Sequence, residues 1–157
     1  MSTVYDTKTT NVYGPKTPTL NEVSRRVNLA NATWARVIVT ALNGGASVTA
    51  PTLQFVASSD GTGSDEHPVA FLSGIANTDS LASDVFTELT PGSSVAASAG
   101  VNKALTYVFD FDPALLNTNG GDRYLGVKFT AAGTNTTYSV VVDLTPKAAP
   151  ALNVSLS

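Results

Sequence analysis

The only histidine of this chain, His67, lies in "SSDGTGSDEHP" (residues 58–68) beside Asp60, Asp65 and Glu66, its densest cluster of acids. A histidine flanked by carboxylates can serve as a general base. That chemistry also needs a nucleophile or a metal, and a third group to orient the base. With no second histidine, a metal site built on two or three imidazoles cannot form within one chain. The acids could hold calcium through oxygen ligands, but their spacing lacks the alternating pattern of a calcium loop. The stretch reads as a solvated connection between strands, with no catalytic residue, no metal and no cofactor.

Asp110 and Asp112 come next, because positions i and i+2 of a strand share a face about 6–7 Å apart. Glycosidase carboxylates stand about 5–9.5 Å apart, with aromatic rings beside the acids. Here Tyr107, Phe109 and Phe111 fall on the opposite face, so both acids read as a solvated polar face. Neither Gly44–Gly45, Gly74 nor Gly120–Gly121 is followed by a helical pattern or by G-K-[ST], so no phosphate loop is supported. Trp34 and Tyr138 lie in strand patterns and read as core. Tyr5 and Tyr13 lie near the N-terminus and read as anchors on a partner.

The elements that position these residues are strands. "ALTYVFDFD" places Leu105, Tyr107, Phe109 and Phe111 on one face. "TYSVVVDL" does the same for Tyr138, Val140, Val142 and Leu144. "RYLGVKFTA" aligns Leu125, Val127 and Phe129, and "VSRRVNL" aligns Val23, Val27 and Leu29. "WARVIVTAL" is apolar on both faces, as expected of a central strand covered on two sides. Shorter candidates are "TLQFVAS", "VAFLS", "VFTELT" and the C-terminal "ALNVSLS". Turn signals at 43–45, 60–63, 91–92, 117–122 and 131–136 separate them. "DPALLNTN" predicts one helical turn, and "GTN" at 133–135 predicts a hairpin joining 123–131 to 137–144. The sum is an all-β chain of eight or nine strands, an antiparallel, jelly-roll-like sandwich over 22–145. Jelly-roll and immunoglobulin-like topologies both fit that count.

Residues 1–21 are rich in Thr and Pro and read as an extended arm, and 146–157 as a second arm or a last strand. Only 13% of the 157 residues are charged, and there is no cysteine, so disulfides and thiol chemistry are excluded. The net charge of −3 is lopsided: residues 1–36 carry +3 and the remainder −6. The basic segment is too sparse, and the body too acidic, for nucleic-acid binding. A basic arm on an acidic body suits an acidic protein surface, including that of a sister copy. The expected partner-binding residues are Tyr5, Lys8, Tyr13, Lys16 and Leu20. No apolar run reaches membrane-spanning length and none near the start has signal-peptide character, so synthesis in the cytoplasm is expected.

"LQFVASSDG", "VAFLSG" and "GGDRYLGVKFTAAGTNTTYSVVVDL" together resemble the cement or decoration proteins of tailed-phage capsids. The likeness rests on Ser58-Ser59-Asp60, Arg123-Tyr124-Leu125 and Gly133-Thr134-Asn135, and covers roughly residues 50–144. It implies a jelly-roll protein bound to the major capsid protein on the outer surface of the virion. It also implies a homodimer or homotrimer that stabilises the head against internal pressure, and no enzyme. A phage tail or fibre domain, or a carbohydrate-binding sandwich, is the alternative.

Overall fold

The computed structural model describes residues 8–116 and 121–147. Tyr5 and the candidate strand "ALNVSLS" lie outside them. The elements in order are β1 (Lys8–Lys16), β2 (Glu22–Val23), β3 (Val27–Asn28), β4 (Ala32–Asn43), β5 (Thr52–Ser58), β6 (His67–Pro68) and β7 (Ser73–Asn77). Then follow β8 (Thr87–Leu89), β9 (Ser94–Ala96), β10 (Ala104–Phe111), α1 (Pro113–Leu116), β11 (Tyr124–Phe129) and β12 (Thr136–Pro146). The fold is an antiparallel β-sandwich. One sheet has the order β1-β12-β4-β10-β7-β8; the other has β2-β11-β5-β6, with β3 on β11 and β9 on β5.

The pairing is nested. The first strand pairs with the last, β2 and β3 with β11, β4 with β10, and β5 with β9. β12 then joins β4, and β11 joins β5. A long antiparallel ribbon rolled so that its successive pairs fall in alternate sheets is the jelly-roll arrangement. The segment carrying β6, β7 and β8 is an excursion between β5 and β9. The described strands number twelve rather than eight or nine. The surplus is two- and three-residue pieces where the chain changes sheets.

Alternation fills the space between the sheets. Ala35, Val37 and Val39 of β4, Leu105 to Phe111 of β10 and Tyr138 to Val142 of β12 meet Leu53, Phe55, Leu125, Val127 and Phe129 from across. Phe55 is the hub: its ring centroid lies 4.5 Å from Phe109, 5.1 Å from Phe111 and 5.7 Å from Phe71. A second ring stack, Tyr13–Phe129–Tyr138, closes the β1 side at 4.6 and 5.7 Å.

Four expectations are corrected here. The arm 1–21 is not loose over residues 8–16, where β1 runs antiparallel along β12. A register shift beside Asn11 turns the consecutive residues Val12 and Tyr13 both inward, which hides the strand from a period-two reading. Gly14 follows at φ +72°, where any Cβ would stand 2.0 Å from the Tyr138 carbonyl oxygen. "GTN" does not close a hairpin, because β11 and β12 lie in opposite sheets. Instead Thr134 exchanges backbone bonds with Thr49, at 2.9 and 3.1 Å, and Gly133 N–H donates to Pro18 at 2.9 Å. "VAFLS" is a crossing between sheets, and β7 begins only at Ser73. Finally, β4 is central but covered on one face only, since Thr33, Arg36, Thr40 and Leu42 are exposed.

Phe55→Ala removes the ring on which both sheets meet. A loss of about 3–5 kcal/mol is expected for such a truncation, a large share of a domain's total of about 5–15 kcal/mol. Urea denaturation of the variant checks it.

Candidate interaction surfaces

The strands run between two ends of the sandwich, and the loops at those ends differ. Among the described residues, one end carries 29–31, 59–66, 112–116, 121–123 and 146–147; the other carries 17–21, 44–51, 78–86, 97–103 and 130–135.

The first end holds most of the charge, including the opening stretch. The Asp60 carboxylate accepts from the Thr62 hydroxyl at 2.7 Å and from the Thr62 and Gly63 N–H groups at 2.9 and 2.7 Å; the Ser64 hydroxyl also donates to it. Those bonds, led by the Ser64 and Thr62 hydroxyls, hold its pKa well below the usual carboxylate range. Asp65 accepts from Ser59 N–H at 3.0 Å. Burial would raise the Glu66 carboxyl, but Lys128 at 2.9 Å and Arg26 draw it down. Gly63, at φ +76°, leaves room for the Arg26 guanidinium that any Cβ would strike. His67 donates its Nδ1–H to the Asp65 carbonyl oxygen (3.1 Å), and its Nε2 lies 2.8 Å from Asp122, whose side chain is buried. The acids of the loop are therefore spent on the loop's own backbone and on neighbouring cations. Among the described residues no group of three His, Cys, Asp or Glu could hold a metal.

Asp110 and Asp112 do not share a face. Asp110 accepts from Arg36 through a two-bond fork at 2.8 and 3.0 Å and from Trp34 Nε1 at 3.1 Å. Burial alone would raise its carboxyl; the Arg36 and Trp34 bonds bring it below the ordinary value. Asp112 sits past the end of β10 and caps α1 through the Ala114 N–H at 2.9 Å. Trp34, expected in the core, is half-buried on the outer face of the β4 sheet. Its parity with Arg36 carried that information, but its size argued for the interior.

The expected partner-binding residues divide. Tyr13 is in the core, with its hydroxyl donating to Glu22 at 2.9 Å. Burial, then the Glu22 carboxylate, push the Tyr13 pKa up. Lys16 pairs with Glu22 and stands 4.8 Å over the Tyr13 ring. Burial would raise Glu22, but Lys16, the Thr19 N–H and the Tyr13 hydroxyl hold it at about 2. These residues hold the chain to itself. Lys8 is exposed and Leu20 is 63% exposed.

The second end was not singled out from sequence. Its loops "TPTLN", "GGASVTAP" and "TAAGTN" contain no charged residue. The charges in the remaining two loops are Asp79 with Lys103, which pair, and Asp84. Among the described residues, six of the nine exposed large apolar side chains belong to this end: Leu20, Leu42, Leu81, Val85, Phe86 and Val101. An open groove of about 850 Å³ runs across it, lined by Thr17, Leu42, Gly45, Leu81, Asn102 and Asn135. Isolated exposed leucines are ordinary, whereas their concentration around an uncharged groove is the kind of surface that interaction sites present.

The chain matches no known protein-family model and no curated protein. Among solved structures it is similar to the SPBc2 prophage-derived protein YomS, at a TM-score of 0.49 and 17% identity, over 91% of this chain and 97% of that one. No helix among the described residues is long and apolar enough to cross a membrane.

The Asp65 carbonyl, then the Asp122 carboxylate, raise the His67 pKa above its ordinary value, against a burial that lowers it. A raised folded-state pKa stabilises fully below the unfolded value, about 6.5, and that contribution fades as pH climbs through the folded value. Comparing denaturation midpoints of wild type and His67→Gln from pH 5.5 to 8.5 is the check. The wild-type advantage is expected to shrink as pH rises.

Proposed function

We propose that this protein is a structural component of a phage virion. In this reading it adheres to the outside of the capsid, with the major capsid protein as its partner, and stabilises the head against internal pressure. The observation that carries the reading is the gathering of exposed apolar side chains on nearly uncharged loops at one end of a sandwich whose opposite end is charged. Water wets the charged end at no cost, whereas covering Leu42 and Leu81 releases about 25 cal/mol per Å² of apolar surface. Docking by that end is therefore the favoured orientation. The jelly-roll sandwich, and the resemblance in Ser58-Ser59-Asp60 and Arg123-Tyr124-Leu125, support the same reading. A scaffold stapled through its own core keeps its shape while many copies bind, and weak contacts repeated over a lattice add up to firm attachment.

A carbohydrate-binding module is the second reading. It is favoured by the outer-face cluster in which Trp34, Arg36 and Ser73 converge on Asp110. The two readings use different faces and separate in one experiment. Leu42→Asp with Leu81→Asp is expected to abolish co-sedimentation with phage capsids assembled from the major capsid protein. Both side chains are exposed, so the thermal midpoint should hold. Undiminished co-sedimentation would overturn docking by this end. Loss of sedimentation on adding free glycans, with Leu42 and Leu81 intact, would move the function to the Trp34 face.

A further inference from the structure

We propose that copies of this chain join head to tail, the β8 edge of one against the β1 edge of the next. The contact is edge to edge, with Arg25 of the receiving copy lying along Asn11 and Val12 between the two strands. The inference rests on the reading above only in taking the protein to work in many copies.

β1 and β8 are the two outermost strands of one sheet. Every residue from Leu81 to Glu88 is exposed, a run of eight that includes Val85 at 68% and Phe86 at 42%. An uncovered strand edge beside exposed apolar side chains is a template for strand addition. Natural monomers blunt such an edge with lysine, proline or a covering loop. On β1 that blunting is partial: Arg25 folds over its later half, donating its N–H to the Val12 carbonyl at 2.9 Å and its Nη2 to the Asn11 carbonyl at 3.3 Å.

Charge decides how the edges pair. The β8 edge carries Asp84 and Glu88, and the β1 side carries Lys8 and Arg25. Among the described residues none of these four takes part in an ion pair. A symmetric β8–β8 contact would set Asp84 and Glu88 against their own copies, and a β1–β1 contact would do the same to the cations. Only the head-to-tail contact brings opposite signs together.

The register brings one of these pairs, Glu88 and Arg25, side by side, while Asp84 and Lys8 fall toward opposite ends of the contact. One outer-face row crosses the sheet from Asn11 through Val141, Ile38, Val108 and Ile75 to Glu88. Extending the sheet by one more copy sets Glu88 level with Asn11 of that copy, where Arg25 is fastened. Successive strands alternate in direction from β1 to β8, so β8 meets the next β1 antiparallel, as the rest of the sheet is paired. A head-to-tail contact of this kind closes into a ring when its rotation divides a full turn.

Sedimentation velocity of the full chain tests it, with Asp84→Lys/Glu88→Lys as one variant and Lys8→Glu/Arg25→Glu as the other. Wild type is expected to associate at low ionic strength and to dissociate in about 0.5 M salt, where charges are screened within a few ångströms. Each variant alone should lose association at least tenfold, and mixing the two should restore it, because each reversed edge then finds its complement. All four residues are exposed, so unchanged thermal midpoints verify folding. A wild type that stays monomeric at low salt, or association that survives the β1 reversal, would overturn the contact. A monomer that still binds capsids would sink this inference alone. An oligomer that does not bind them would sink the functional reading alone.

Discussion

The interlocked rings about Phe55 are the contact on which everything else in this molecule depends. Phe55 comes from one sheet and Phe109 and Phe111 from the other, while Phe71 arrives on the crossing between them. Burying a side chain of this size is worth roughly 1.5–3 kcal/mol. An exposed ion pair contributes about 0–1 kcal/mol. With no cysteine and six ion pairs among the described residues, several of them at the surface, packing between the sheets outweighs the electrostatics. The Arg36–Asp110 fork and the Arg26–Glu66–Lys128 cluster act on finer matters, fixing where loops and outer-face residues sit.

Because the core lies wholly between the sheets, the loops at the two ends do not need to supply it and are free to differ. At one end the carboxylates of Asp60, Asp65 and Glu66 are consumed in holding their own loop and in pairing with Arg26 and Lys128. The stretch with the most reactive side chains is therefore tied into a knot by its own bonds. At the other end, chains of Gly, Ala, Ser and Thr leave Leu20, Leu42, Leu81 and Val101 standing in water. In the proposed docking that cost is recovered when a partner covers them.

Much of this was legible in the residues. Alternation in 104–111 and 137–144 gave the inward faces residue by residue, and Asp112-Pro113 marked the helical turn seen at Pro113–Leu116. What alternation cannot say is which sheet a strand joins. An inward apolar face looks the same in either, so the expected hairpin across Gly133 became a crossing. Tyr13 was read as an anchor on a partner; the shift that turns it and Val12 inward concealed that its ring packs on Phe129 of the same chain. The pairing of His67 with Asp122 joins residues far apart in sequence and left no local trace. The uncharged end went unnoticed for the opposite reason: its signal is the absence of charge from several loops that only the fold assembles.

Hydrogen exchange on the protein bound to capsids, against the free protein, tests the central claim most directly. Slowed exchange confined to residues 17–21, 44–51 and 78–86 is the predicted result. Protection centred on 59–67 and 121–123, with the leucine-bearing end exchanging as freely as before, would contradict it.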